Sequence, residues 1–358
     1  MPDIVTEPDA LDTDWLTAAL RDVGLLPHGR VRDVHWQVIG TGKMGDNVRY
    51  TLSYQDASAT APDSLVAKLP AADATSRANA GSGGVYRREV CFYREIASRV
   101  PMRTPQVHLA RIHENQTDFV ILMEDLAPAR PGDQILGCGP DRAELAIREA
   151  AKLHGPLVGD SRLEHLDWLM STTPEAAEFG QALLQQMWPS FLRRFEAVIS
   201  PEGAAMAELY IGAFARWSLG FPGLRTLVHA DYRLENLLFG TGEGGPPIAV
   251  VDWQTVQHTC PLIDVAYFLG GGLPVEMRRE HEAELVEIYR RELALLGVEI
   301  ARDECWQLYR RSALHGIMIT VLGCMFTGQD ERGDRMFAAM IERHLQHAVD
   351  LECGEFLA

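Results

Sequence analysis

The chain has 358 residues, 47% of them hydrophobic, enough to bury a large core in one two-lobed unit or in two adjacent domains. Its 50 acidic and 33 basic side chains leave a formal net charge of −17, which repels a phosphate backbone and argues against nucleic acid as a partner. The opening Met-Pro-Asp-Ile-Val-Thr-Glu lacks the basic start and apolar stretch of a signal peptide, and the longest uncharged apolar run, Gly316 to Phe326, is too short to span a bilayer. A cytoplasmic location with no membrane span is expected. Six cysteines without a Cys-x-x-Cys pair indicate buried free thiols rather than disulfides or zinc ligands.

In chain order, Thr13 is placed to cap a helix with Leu16, Leu20 and Val23 on one face, and Gly24 is its stop signal. From Val34 the period changes to two. Val34, Trp36 and Val38 alternate, a glycine-rich loop follows, and Val48, Tyr50, Leu52 and Tyr54 alternate again, which predicts a strand, loop, strand hairpin. Leu65 to Leu69 reads as a short strand, and Ala71 to Gly84 as a mobile loop. A helix over Arg87 to Val100, ended by Pro101, and a strand over Phe119 to Met123 complete a small β-rich lobe.

Beyond Glu124 the pattern is mostly helical: Ala143 to Leu157, Pro174 to Leu219 in pieces, and Val275 to the C-terminus. A short β segment interrupts it, with strands at Thr226 to His229, Leu237 to Phe239 and Ile248 to Asp252 and a turn at Gly-Gly-Pro-Pro. The expected class is α+β, with residues 1–124 as a small antiparallel β-rich lobe with a leading helix, and 125–358 as a larger, mainly helical lobe.

The chemistry concentrates in His229-Ala-Asp231-Tyr-Arg-Leu-Glu-Asn236 and Val250-Val-Asp252-Trp253. Phosphoryl transfer needs a carboxylate near the attacking hydroxyl and hard oxygen ligands for the magnesium (Mg2+) that neutralises the phosphates. An Asp, an Asn five residues later, and an Asp at the end of the next β hairpin supply those groups. Each Asp taken singly is also consistent with a turn or cap residue.

The H-x-D-x-x-x-x-N segment and the Val-Val-Asp-Trp strand resemble the aminoglycoside phosphotransferase and choline kinase-like superfamily, relatives of the protein kinases, and are closest to its broad bacterial phosphotransferase branch. The likeness runs through separated motifs over residues 30 to 270 and implies a two-lobed protein-kinase-like fold using ATP and magnesium. It implies Asp231 as catalytic base and Asn236 and Asp252 as metal ligands. Ala230 stands where the family usually has Gly, and Gln254 where an acidic residue is common.

Upstream residues extend the resemblance. Gly40, Gly42 and Gly45 have G-x-G-x-x-G spacing, which also marks dinucleotide-binding folds, but the following residues alternate as a strand, as in a kinase phosphate-covering loop. Lys68 resembles the phosphate-binding lysine, with Val66 on the same strand face available to cover adenine. Glu89 fits its helix partner, with Glu95 the alternative. Backbone groups from Glu124 to Leu126 resemble the adenine-binding segment between lobes; a strand end with an acidic cap is the other reading. Arg233 is a candidate to steady the transferring phosphate, or a surface arginine. Asp264 is assigned to bracing the catalytic loop, and His154 to the core.

The resulting expectation is a small-molecule kinase that transfers the γ-phosphate of ATP to a hydroxyl. The acceptor is open. Large apolar side chains between Trp168 and Phe221 favour a bulky apolar alcohol if part of the set lines a cleft, or merely pack the helices. The acidic net charge favours a cationic acceptor such as an aminoglycoside. A non-catalytic nucleotide-binding protein of the same fold is a further alternative.

Overall fold

The computed structural model describes residues 2–40, 44–57, 60–326 and 329–358. Close contacts divide the chain into two compact units: Met1–Arg99 with Thr104–Ala127 and Asp252–Thr255, and Val100–Arg103 with Pro128–Val251 and Val256–Ala358.

In the first unit, helix α1 (Thr13–Asp22) precedes strands β1 (Arg30–Ile39), β2 (Gly45–Gln55) and β3 (Ser64–Pro70). Then come helices α2 (Ala74–Ser82) and α3 (Val85–Cys91) and strands β4 (Val107–Ile112) and β5 (Phe119–Glu124). The strands form one antiparallel sheet in the order β1-β2-β3-β5-β4. Trp15, Leu16, Ala19 and Leu20 of α1 pack on one sheet face with Val48, Tyr50, Leu65, Ala67 and Leu69. Alternation along β3 therefore turns Val66 and Lys68 to the other face.

Two local expectations change here, and one strand is added. Asp12, not Thr13, caps α1, because its carboxylate accepts the Asp14 and Trp15 amides. The segment expected as a loop from Ala71 contains α2, nucleated by the Asp73 side chain accepting from Ser76 N at 2.7 Å. Strand β4 had no clear sequence signal.

The second unit contains β6 (Arg130–Pro131), α4 (Pro140–His154), α5 (Pro174–Phe195), α6 (Pro201–Leu219), β7 (Thr226–Val228), β8 (Leu237–Thr241), β9 (Gly244–Val250) and β10 (Gln257–Thr259). Helices α7 (Leu262–Gly272), α8 (Val275–Leu295), α9 (Arg302–Ser312), α10 (His315–Phe326) and α11 (Glu331–Asp350) follow. The Gly-Gly-Pro-Pro stretch is the start of β9 rather than a turn. The chain reverses earlier, with Thr241 paired to Gly244, and β9 lies at the edge of the β6-β8-β9 sheet, where the missing N–H of Pro246 and Pro247 breaks no inner ladder.

The aromatic-rich region mainly packs α5 against α6. Trp188, Phe191, Phe195, Tyr210, Phe214 and Trp217 are all buried, and Tyr210 meets Trp217 edge-on at 5.1 Å. Phe179 and Met170 remain exposed. All six cysteines are buried, and none is in a disulfide. No described helix is long and apolar enough to cross a membrane.

Candidate active site

The first unit builds an ion cluster around Lys68. The side chain is buried, with Nζ 2.7 Å from Glu89 Oε2 and 3.0 Å from Asp252 Oδ1. Burial alone would lower the lysine pKa, but the Asp252 and Glu89 carboxylates reverse this and hold it above its ordinary value. Glu89, rather than Glu95, is thus the partner in the structure.

The expected domain division put Asp252 with the helical part; its contacts place it in the first unit. Trp253 stacks on Phe92 at 3.7 Å between ring centroids, and Arg88 Nε donates to Gln254 O at 2.8 Å. Gln254 also hydrogen-bonds Glu89 through its side chain. An acidic residue there would add a third carboxylate beside the buried Glu89 and Asp252, which share one lysine, so glutamine is the compatible choice.

The hairpin joining β1 and β2 carries the glycine motif. Gly40 has φ of +77°, the left-handed region where glycine is unstrained. At Gly45 a Cβ would come within 3.0 Å of Leu69 O. Gly42 lies outside the described residues. At the end of β5, Glu124 N donates to Gln106 O and its Oε1 accepts from Gln106 N, so this amide is already engaged. Leu126 follows with its side chain buried.

The second unit builds the loop after β7. Its first two amides, His229 N and Ala230 N, donate to the two oxygens of Asp264 at 2.7 and 2.8 Å. His154 Nε2 meets the same carboxylate at 3.1 Å while its Nδ1 meets Tyr289 OH, making it a satisfied core histidine. Ala230 adopts φ of +63° and Asp252 +70°, left-handed values that cost a non-glycine residue about 1–2 kcal/mol. A glycine at position 230 would avoid that cost; here the paired amides hold alanine in the turn.

Asp231 projects from this turn, with 23% of its side chain exposed. Its Oδ2 accepts from Asn236 Nδ2 at 2.9 Å and Arg233 Nε at 3.3 Å, and its Oδ1 from Tyr267 OH at 3.1 Å. Burial would lower the Arg233 pKa, but Asp231 and Glu235 hold it above its ordinary value. Arg233 is therefore an ion-paired side chain, not a loose surface one. Glu235 also binds Arg332.

Two oxygen donors fit magnesium chemically. Because Asn236 gives its Nδ2 to Asp231, its carbonyl Oδ1 is the atom left for a cation. Asp252 keeps 38% of its side chain accessible. Among the described residues no cluster of three or more His, Cys, Asp or Glu forms a metal cage.

Residues that sequence reasoning missed lie behind this loop. Tyr267 is on α7, and the buried Gln134 accepts from Leu234 N at 3.0 Å while donating to Gly271 O at 2.8 Å. The available signal for Tyr267 is its position three residues after Asp264, which places both on one helix face.

The Tyr267 ring stacks on His344 at 5.2 Å between centroids and meets His315 edge-on. His344 fits because α7 and α10 present glycines to it. A Cβ on Gly271 would lie 2.7 Å from His344 Nε2, and one on Gly316 would overlap the ring. Gly316→Ala is expected to destabilise the protein by about 1–3 kcal/mol, overriding the ~1 kcal/mol helix preference for alanine. Urea denaturation measures this, and an unchanged or raised midpoint would contradict the packing account.

Burial pushes the His315 pKa down to about 4, against backbone Ala230 O and the nearby carboxylates Asp264 and Asp231, which raise it. His344 and His347 are lowered by burial too. A folded-state value below the ordinary 6.5 means the unfolded chain binds more protons between pH 6.5 and 4. Stability should therefore fall as pH drops through that window, with His315 alone contributing on the order of 3 kcal/mol. Urea midpoints at pH 7 and pH 4.5 test this; His315→Gln should flatten part of the slope.

This arrangement of an antiparallel sheet bearing a paired lysine and a helical unit bearing an Asp-Asn loop defines a protein-kinase-like protein. The model of the ecdysteroid kinase-like family matches residues 43–298, and the chain belongs to that family. Its membership supports small-molecule phosphotransfer. No protein among the curated sequences matches significantly.

Solved structures share the fold at low identity. A putative aminoglycoside phosphotransferase from Ralstonia eutropha JMP134 has 15% identity and a TM-score of 0.53, covering 94% of this chain and 98% of that one. The GDP complex of aminoglycoside 2′-phosphotransferase-IIIa has 12% identity and a TM-score of 0.54, covering 93% and 98%. A Plasmodium vivax ethanolamine kinase has 11% identity and a TM-score of 0.51, covering 90% and 82%.

Proposed function

We propose that this protein transfers the γ-phosphate of ATP to a hydroxyl of a bulky apolar small molecule. The observation that carries the reading is the buried Lys68 ammonium, paired with Glu89 and joined by Asp252. Lys68 would contact the phosphates, the Gly40 to Gly45 hairpin would cover them, and Val66 with the backbone from Glu124 to Leu126 would take adenine. Asn236 and Asp252 would hold magnesium, which when bound supplies positive charge to the phosphate oxygens.

Asp231 would take the acceptor's hydroxyl proton as the oxygen bonds to the γ-phosphorus and the bond to the β-phosphate oxygen breaks, releasing ADP. Arg233 would hold the Asp231 carboxylate and steady the transferring group. The expected setting is the cytoplasm.

For the acceptor, the ecdysteroid kinase-like family supports a hydroxylated, steroid-sized hydrocarbon. The charges beside Asp231 point the same way. Asp231 and Glu235 are matched by Arg233 and Arg332, so these four side chains offer a polycation no net negative charge. The net charge of −17 favours a cation only through long-range encounter.

A panel of polyhydroxylated steroid, long-chain alcohol, choline and kanamycin, each assayed with Mg·ATP and mass detection of product, tests the reading. The steroid should give the highest kcat/KM, and within an alcohol series each added methylene should contribute about 0.8 kcal/mol, roughly fourfold, until the site is filled. A preference for kanamycin would overturn the apolar acceptor. ATP binding without turnover on any acceptor would favour a non-catalytic role.

A further inference from the structure

Helix α7 contacts the Asp231 loop at successive turns. Asp264 accepts the His229 and Ala230 amides, Tyr267 donates its hydroxyl to Asp231 Oδ1, and Gly271 O receives Gln134, whose own Oε1 holds Leu234 N. The spacing 264, 267, 271 is one face of a helix. Of the three contacts, Tyr267 alone reaches the reactive carboxylate itself; the others hold backbone.

The geometry points to Tyr267 as a positioning residue for the phosphotransfer reaction: its hydroxyl fixes the rotation of the Asp231 carboxylate, so that one oxygen is held toward α7 and the other is held by Asn236. This rests on Asp231 being the catalytic base. A carboxylate has two-fold freedom about its terminal torsion, and a base must keep an oxygen aligned with the proton it takes. Asn236 restrains Oδ2, Tyr267 restrains Oδ1, and Arg233 Nε lies 3.3 Å from Oδ2 and 3.2 Å from Oδ1, so the three donors together define the plane, with Tyr267 the one that comes from α7. The tyrosine is itself immobilised. Its ring lies nearly parallel to His344, at 6°, and at 87° to His315, and the whole side chain is buried. Gly271 and Gly316 let His344 approach closely enough to form that seat.

Tyr267→Phe separates the hydroxyl from the ring, because phenylalanine keeps both ring contacts and loses only the bond to Asp231. The readout needs no acceptor: single-turnover release of labelled phosphate from Mg·[γ-32P]ATP into water, with Mg·ATP affinity measured by calorimetry, on wild type, Tyr267→Phe, Asp231→Asn and the double variant. Tyr267→Phe should slow release by roughly tenfold to hundredfold, the scale of one hydrogen bond to a charged group, at unchanged ATP affinity. The double variant should be no slower than Asp231→Asn, since the tyrosine acts only through that carboxylate.

Urea midpoints of Tyr267→Phe, Asp231→Ala and their double variant should likewise be non-additive. If Asp231→Asn is impaired while Tyr267→Phe releases phosphate at the wild-type rate, the positioning role is overturned and the base assignment stands. Wild-type release by Asp231→Asn would overturn the base assignment and the inference with it. Additive urea midpoints would overturn the inference even if no variant, wild type included, releases phosphate to water.

Discussion

Asp231→Asn is expected to lower phosphotransfer by ~10²- to 10⁴-fold while leaving Mg·ATP affinity close to wild type, because in the proposed mechanism the carboxylate acts on the acceptor proton and not on the nucleotide. The structure adds a second effect. Asp231 accepts from Asn236, Tyr267 and Arg233, so both of its oxygens are used as acceptors. Asparagine offers one acceptor oxygen and one donor amide, which leaves a donor facing a donor and should cost about 1–3 kcal/mol of stability. Activity loss with a modest drop in Tm, at unchanged ATP affinity, is the expected pattern. Turnover above half of wild type would remove Asp231 from the mechanism.

Lys68→Ala should abolish productive Mg·ATP use and also destabilise the first unit. In the structure the Lys68 side chain is 5% exposed and that of Glu89 1%, so removing the cation strands a buried carboxylate. Breaking such a pair typically costs about 3–5 kcal/mol, unless the carboxylate takes up a proton.

The double variant Lys68→Met, Glu89→Gln removes both charges and should recover most of the stability without recovering ATP use. Calorimetric ATP titration separates the two losses from each other, and urea midpoints follow the stability. Unchanged ATP affinity and turnover in Lys68→Ala would move the nucleotide site elsewhere. Asp252→Ala should weaken metal-dependent turnover with a smaller stability cost, since 38% of that side chain is exposed.

Wherever a local period or a short motif carries the information, the sequence by itself determined the outcome. The alternation from Val34 to Tyr54 predicts the β1-β2 hairpin, and alternation in β3 separates Lys68 from the core-facing Leu65, Ala67 and Leu69. Asp231 and Asn236 are legible as a pair because five residues bridge one tight loop.

Other features were hidden for definite reasons. Helix α7 is buried on every side, so it has no amphipathic period to detect. Helix α2 is built from alanine, serine and glycine, whose composition reads as a loop until the Asp73 cap is seen. The Gly-Gly-Pro-Pro stretch reads as a turn and becomes a strand only because it lies at a sheet edge.

Tertiary structure alone decided which partners meet. Glu89 and Glu95 are both plausible from spacing, but the helix changes from α to π between them, at Cys91–Phe92, and it is Glu89 that the packing brings to 2.7 Å from Lys68 Nζ. Tyr267, Gln134 and His344 come from separate stretches of chain and acquire meaning only when packing brings them to the Asp231 loop. Such contacts depend on chain closure over many residues, and no local pattern encodes that distance.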